Sequence, residues 1–318
     1  MTLPPMCFHL AHAALALLVA AGLFTGAAPA AAALRPPSTP AALPTAIEPL
    51  APYVGETSCD PVVKAGTNRL GRLLVSSYPG TSFSSVYACG SDGTRSEHYD
   101  GRAIDWMASI RNRTQLADAR TVLTWLLATD RQGHTFANAR RLGVMYLIYD
   151  NRIWGAWNGA WAPYLNCAKT PQPGLDSRCH RNHLHLSLSW NGALGATSFW
   201  TRRVSATDWG PCRPRDLNWA MPRTRSNPTQ CAEVATVRAP AHASAAKVAL
   251  VTYSGSYLRP GSTGPAVVAI QRVFHFSQTG VYTAALAAAV ASFNRSRRVP
   301  GGGAIIPATW RALLAAVR

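Results

Sequence analysis

Six cysteines between positions 59 and 231 constrain this 318-residue chain more than any other feature of its sequence. An even number of cysteines in an exported chain is typical of a disulfide framework. The alternative, a zinc cluster built on cysteines, is disfavoured because the chain contains no CxxC pair. Six cysteines allow fifteen pairings, among which the sequence cannot select, and locality only suggests one of them. The predicted pairs are Cys59–Cys89, Cys167–Cys179 and Cys212–Cys231.

The N-terminus predicts export. Residues 11–28 form a short apolar core, and Ala-x-Ala sites follow it at positions 28–30 and 31–33. This pattern is typical of a secretory signal peptide, so we expect residues 1–33 to be removed together with Cys7. An uncleaved anchor is the alternative, because the first ten residues contain no Lys or Arg. No later apolar run reaches the ~18 residues of a membrane span, so the chain is expected to be secreted and extracellular.

The charge is nearly one-sided. Lys and Arg number 31 against 14 Asp and Glu, which gives a formal net charge of +17. Such a balance indicates an anionic partner, for which nucleic acid, anionic lipid and acidic cell-wall polymers are the classes. A hydrophobic content of 48% supports packed cores and excludes wholesale disorder.

Composition divides the chain into segments. Helical and strand patterns mix without regular alternation in the cysteine-containing part, which indicates an α+β fold. Within it, we expect Thr114 to cap a helix that runs to Leu127. The tryptophans at 154, 157 and 161 alternate with glycines and are expected to pack in the core or to form a substrate-side loop. The predicted segments are a signal peptide (1–33), a Pro-rich linker (34–54), a large cysteine-containing domain (55–235), a second linker (236–250) and a terminal domain (251–318).

Histidines are concentrated in one predicted strand. The sequence HLHLSLS runs from His183 to Ser189, so alternation places His183 and His185 on one face and leucines on the other. His180 lies just before this strand and completes the pattern H-x-x-H-x-H. Histidine-dense tracts of this kind are candidates for metal binding.

A second segment supplies the missing ligands. His98 and Asp105 stand seven positions apart, and Gly101 between them allows the chain to turn. A catalytic zinc site needs three protein ligands from histidine and carboxylate, with a further position open. His98, Asp105 and one strand histidine provide this set.

These residues resemble a known family. The segment Ser96–Asp105 has the pattern S-x-H-x-x-G-x-A-x-D, which is similar to the first zinc motif of bacterial D-alanyl-D-alanine metallopeptidases. The H-x-H of the strand is similar to the second motif of that superfamily, which lysostaphin-type and murein endopeptidases and the Hedgehog fold share. The resemblance implies a small antiparallel sheet with flanking helices. It also implies one Zn²⁺ held by His98, Asp105 and His185, with His183 and His180 as catalytic residues.

The pattern departs from the carboxypeptidase branch at one position. That branch has an acid three residues before the last ligand, where this chain has Asn182. Proton transfer must then fall to His183 or His180, which favours an endopeptidase. Arg95 and Ser96 lie beside His98, and we expect them to bind substrate. A structural zinc with His180 or His183 as the fourth ligand remains open.

The terminal domain predicts three helices, at Pro265–Val273, Thr283–Arg295 and Pro307–Val317. Its elements, from Leu258 to Leu313, resemble the peptidoglycan-binding module found beside wall hydrolases, although a spacer role is the alternative. The whole chain is thus expected to be a secreted zinc peptidase acting on peptidoglycan stem peptides or cross-links. The alternatives are a D,D-carboxypeptidase and a non-catalytic zinc-containing wall-binding protein. Peptidoglycan and anionic wall polymers are the expected partners, and nucleic acid is not.

Overall fold

The computed structural model describes residues 34–89 and 95–317. The predicted signal peptide lies outside these residues. In the part of the chain described, no helix has both the length and the apolar character needed to cross a membrane. The fold is α+β, as the sequence predicts.

One antiparallel sheet of six strands lies at the centre of the larger half, in the order β1-β2-β6-β3-β4-β5. Its strands are β1 (Phe83–Ser84), β2 (Ala103–Trp106), β3 (Val144–Tyr149), β4 (Arg152–Gly155), β5 (Ala160–Pro163) and β6 (Leu184–Leu188). Strand β6 lies between β2 and β3, so all five of its residues are buried. Its leucines join the hydrophobic core, and its polar residues face the other side.

Helices cover the leucine side of the sheet. They are α1 (Ala65–Ser77), α2 (Arg113–Leu127), α3 (Ala137–Leu142), α4 (Trp190–Leu194) and α5 (Ser198–Thr201). Helix α1 approaches α4 closely because Gly66 has no side chain, and a Cβ there would lie 2.1 Å from the Gly192 carbonyl oxygen. The core beneath these helices contains Trp106, Trp154 and Trp190, each almost completely buried.

The predicted aromatic loop is a hairpin. Strands β4 and β5 pair through Trp154 and Trp161, and the Trp154 ring packs in the core. Glycine-rich spacing suggested a loop, but Gly159, with φ 64°, forms the tight turn of the hairpin instead.

A second hydrophobic core lies in the C-terminal part. Its helices are α6 (Ala245–Tyr253), α7 (Pro265–Val273), α8 (Ala284–Ser296) and α9 (Pro307–Ala316). The three predicted helices are confirmed. Helix α6 begins inside the segment predicted as a linker, because Ser244 caps it and Leu250 packs into the core.

Three disulfides join Cys59 to Cys89, Cys167 to Cys179 and Cys212 to Cys231, which confirms the predicted pairing. The Pro-rich segment 34–54 has no helix or strand, yet Glu48 in it is buried and accepts hydrogen bonds from the Ser198 amide and hydroxyl. The domain boundaries stay a prediction.

Candidate metal centre

Strand pairing brings two of the predicted ligands together. Asp105 on β2 stands directly opposite His185 on β6 in the antiparallel register. His98 lies on a short 3-10 turn, Glu97–Asp100, that immediately precedes β2. Gly101 ends this turn with φ 75°, and a Cβ there would lie 2.0 Å from the Val62 carbonyl oxygen. The chain therefore needs glycine at this point to place His98 over the sheet.

The three side chains converge on one point. Asp105 Oδ1 lies 2.8 Å from His185 Nδ1 and 3.1 Å from His98 Nε2, and the two imidazole nitrogens are 3.2 Å apart. All three residues are buried. Their ligand atoms lie within 4.8 Å of one another, so the group could hold a metal ion.

Hydrogen bonds at the far side of each ring select the tautomer. His98 Nδ1 lies 3.0 Å from the Ser85 carbonyl oxygen, which only accepts, so Nδ1 carries the proton. His185 Nε2 lies 2.8 Å from Ser187 Oγ, which donates its own proton to Glu97 at 3.1 Å. Nε2 must then be the donor to Ser187, and the lone pair of His185 Nδ1 faces inward.

The directions of these lone pairs indicate whether a cation fits between the three side chains. Two imidazole lone pairs and a carboxylate oxygen repel one another at about 3 Å unless a positive charge lies among them. A divalent metal supplies that charge with the donor types it prefers. The residues present therefore fit a metal ion.

The carboxylate of Asp105 is held ionised. Burial alone would raise its pKa, but positive charge on the adjacent His185 and His98 when they are protonated, like that of a bound cation, outweighs burial and holds the pKa well below its usual range. Tyr87 donates a hydrogen bond of 2.5 Å to Asp105 Oδ2, which leaves Oδ1 directed at the histidines. The sequence carried no signal for this role of Tyr87.

His183 lies at the edge of the centre. Its Nε2 is 3.4 Å from Asp105 Oδ1, and its Nδ1 is 2.7 Å from the Asn182 side-chain oxygen. Because that oxygen only accepts, Nδ1 holds the proton and the lone pair of Nε2 points toward the ligands. Burial, partly offset by Asp105, lowers the pKa of His183.

His180 packs beside His183 rather than among the ligands. Their ring centroids are 4.6 Å apart, and the His180 ring also meets Tyr164 edge-on. Burial, together with the neighbouring histidines, lowers the pKa of His180 to about 3, so the ring is neutral. Its buried Nδ1 has no hydrogen-bond partner among the described residues.

Glu97 and Tyr146 complete the surroundings of His185. Glu97 is 2% exposed and accepts hydrogen bonds from Ser187 and from the Tyr146 hydroxyl. Tyr146 also stacks on the His185 ring, with centroids 5.4 Å apart. From the sequence, Glu97 is interpreted either as a loop acid or as a partner that fixes a histidine tautomer, and the geometry favours the second interpretation.

The predicted substrate residues have other contacts. The Arg95 guanidinium lies 4.1 Å from the Trp219 ring centroid and donates to the Asn218 carbonyl oxygen. The Ser96 hydroxyl accepts from the His98 amide and caps the 3-10 turn. Ser96 therefore helps to place a ligand, and its role toward substrate stays a prediction.

Comparison with known proteins gives one partial match. Residues 59–172 match the family model described as VldE, C-terminal domain. The match covers over a third of the chain and includes His98 and Asp105, but it ends before β6 and the histidines there. No curated protein and no solved structure matches the chain. The family description names no metal or reaction, so the resemblance to zinc peptidases stays a prediction.

Proposed function

We propose that this chain is a secreted zinc peptidase that cleaves peptide bonds in the stem peptides or cross-links of peptidoglycan. The observation that carries the proposal is the inward convergence of lone pairs from His98 and His185 on the Asp105 carboxylate, with a third imidazole beside them. Two histidines and one carboxylate form a donor set typical of catalytic zinc.

The side chains around the centre suit peptide hydrolysis. Zinc held by the three ligands would supply Lewis-acid activation of a water molecule and of the peptide carbonyl. His183 Nε2, which faces the same point, is placed to accept a proton from water and to pass it to the leaving amine. Asn182 holds the tautomer that this transfer needs. Neutral His180 lies against His183 and restricts its ring orientation.

The substrate class rests on the whole sequence. Three disulfides and the absence of a spanning helix in the described part are compatible with an exported protein. A net charge of +17 favours retention on anionic wall polymers. The C-terminal helices carry the pattern that resembles a peptidoglycan-binding module.

Endopeptidase action is favoured over D,D-carboxypeptidase action. The carboxypeptidase branch uses an acid where this chain has Asn182, and the Asn182 side chain here accepts a hydrogen bond from His183. No carboxylate of a described residue apart from Asp105 forms an ion pair with His183. His183 is thus the proton carrier that the site offers.

Digestion of purified peptidoglycan tests the proposal. The zinc-loaded chain should release new amines, and conversion of cross-linked dimers to monomers identifies an endopeptidase, whereas free D-alanine identifies a carboxypeptidase. His183→Ala should lose at least a hundredfold in rate, while His134→Ala, a partly exposed histidine paired with Asp130, should keep it. Equal, negligible release by wild type and His183→Ala under zinc-replete conditions would leave only a non-catalytic zinc protein.

A further inference from the structure

A cleft beside the metal centre is not used by the proposed chemistry. It has a volume of about 530 Å³, within the range of ligand sites. One wall is formed by residues 59–62 and 86–89, which the Cys59–Cys89 disulfide joins. The other wall is residues 257–266, from the loop and helix start of the C-terminal unit.

The cleft adjoins the metal centre through Tyr87. Tyr87 lines the cleft, is 42% exposed, and donates through its hydroxyl to Asp105 Oδ2. Its ring also contacts His98, with centroids 4.3 Å apart. A chain lying in the cleft therefore reaches the metal centre at Tyr87.

Residues 219–220, which we call the strap, connect the two parts of the chain that form the walls of the cleft. The Ala220 amide donates to the Thr57 carbonyl oxygen, and the Trp219 amide donates to the Ser254 carbonyl oxygen. Gly255 packs so closely on this strap that a Cβ would lie 2.0 Å from the Trp219 carbonyl oxygen. The cleft is thus a built feature of the packed chain, and the C-terminal unit is more than a tethered module.

The lining indicates what the cleft binds. Its lining includes four prolines, two tyrosines and two valines among polar residues, and its charged side chains are Asp60 and Arg259. Asp60 is neutralised by Lys64 at 2.6 Å. The Arg259 side chain is exposed and forms no ion pair with a described residue. Among the described residues, the cleft therefore presents one positive charge without an ion-pair partner, on a lining that mixes apolar and polar side chains.

We propose that this cleft binds an extended acidic peptide, so that the C-terminal unit forms part of the substrate site and Arg259 pairs with a carboxylate of the bound chain. The proposal rests on the proposed function, which it deepens by naming the part of the substrate that is recognised. A neutral saccharide would leave the Arg259 charge without a partner, whereas stem peptides carry free carboxylates.

Binding of a fluorescein-labelled stem peptide with free carboxylates tests the proposal, measured by anisotropy on the zinc-loaded His183→Ala chain so that nothing is cleaved. Adding Arg259→Gln should weaken binding about tenfold, and it should not change the binding of the same peptide with amidated carboxylates. Thr263→Trp, at an exposed lining position, should weaken both peptides by filling the cleft. Arg272→Gln is the matched control, because Arg272 lies on α7 of the same unit and outside the cleft.

Two results would overturn the assignment. One is equal affinity of the Arg259→Gln and Arg272→Gln chains for the acidic peptide. The other is displacement of the peptide by a peptide-free disaccharide at equal concentration, which would make the cleft a saccharide site. If the proposed function fails but the cleft assignment is correct, peptide binding will depend on Arg259 although no wall peptide is cleaved. Cleavage that is unaffected by Arg259→Gln and by Thr263→Trp would also contradict a role for the cleft, but it would support the peptidase activity.

Discussion

The buried side chains of Ser187 and Glu97 determine which ring nitrogen of His185 faces the metal centre. Ser187 can accept from His185 only because its own proton is committed to Glu97. Ser187 lies two positions after His185 on the same face of β6, so the strand pattern alone predicts that the two residues are neighbours. The pattern does not predict the contact of Ser187 with Glu97, since these two residues lie 90 positions apart in the chain.

Replacing Glu97 should weaken metal binding. In Glu97→Gln the acceptor that orients Ser187 loses its charge, so the inward lone pair of His185 is less firmly held. We expect affinity for Zn²⁺ to fall about tenfold, as measured by competition with a chromophoric chelator. Glu233→Gln removes an exposed carboxylate and should leave the affinity unchanged. Equal affinities for the two variants would show that Glu97 does not position the ligand.

Glu56 should make stability depend on pH. Burial raises its pKa from 4.5 to about 9, which the hydrogen bond from the Ser96 amide only partly offsets. Between these values the folded chain holds a proton that the unfolded chain releases, so the free energy of unfolding falls as pH rises. Urea unfolding of metal-free protein at pH 5 and pH 8 measures the fall.

The Glu56→Gln variant isolates this contribution. It cannot titrate, so its loss of stability between pH 5 and pH 8 should be smaller than that of wild type. Glu233→Gln should behave like wild type, because its carboxyl group is exposed. Parallel pH profiles for wild type and Glu56→Gln would contradict the assigned role.

At the scale of elements, strong apolar periodicity predicted most helices and strands close to their observed positions. The misses are local. The sequence pattern predicts a helix from Pro61 to Val75 and a strand over Phe83–Tyr87, whereas helix α1 begins at Ala65 and the strand is only Phe83–Ser84. Tertiary contacts explain the second case, because Tyr87 turns away to meet Asp105 instead of continuing the pairing with β2.

The start of α2 offers a test of capping. Thr114 was the predicted cap, but the Asn112 side chain accepts from the amides of Thr114 and Gln115, at 3.0 and 3.2 Å. Asn112→Ala should therefore cost about 1 kcal/mol in free energy of unfolding. Thr114→Ala, at an exposed first-turn position, should change it by less than about 0.5 kcal/mol. Chemical denaturation compares the two, and a larger cost for Thr114→Ala would restore the original prediction.

On the scale of the whole molecule, the disulfides join segments that the sheet leaves apart. Cys59–Cys89 closes a loop with a sequence separation of 30 and anchors the segment that carries Tyr87. Cys212–Cys231, with a separation of 19, lies in the irregular region before the C-terminal helices. Both limit the freedom of the unfolded chain, but only the first borders the metal centre.

Removing the Cys59–Cys89 and Cys212–Cys231 disulfides in separate variants should lower stability in both cases but metal affinity in only one. Replacing Cys59 and Cys89 with serine should cost about 3 to 4 kcal/mol in the chain-entropy model and also lower zinc affinity, because Tyr87 loses its anchor. Replacing Cys212 and Cys231 should cost about 3 kcal/mol and leave zinc affinity unchanged. Thermal unfolding and zinc titration measure the two effects. Identical zinc affinities in the two double variants would exclude a role for the first disulfide at the centre.

The amino-acid sequence by itself determined the α+β class and the residues that could bind metal. For the disulfides it suggested one of fifteen pairings, which the structure confirms. These properties depend on local pattern, loop length and residue chemistry, which the linear chain carries. Tertiary structure alone decided that Asp105 faces His185 across two strands, that Tyr87 and Glu97 hold the ligands, and that the C-terminal unit closes a cleft beside them. Those contacts join residues far apart in the chain, and only packing of the sheet and the strap at Trp219 brings them within hydrogen-bond distance.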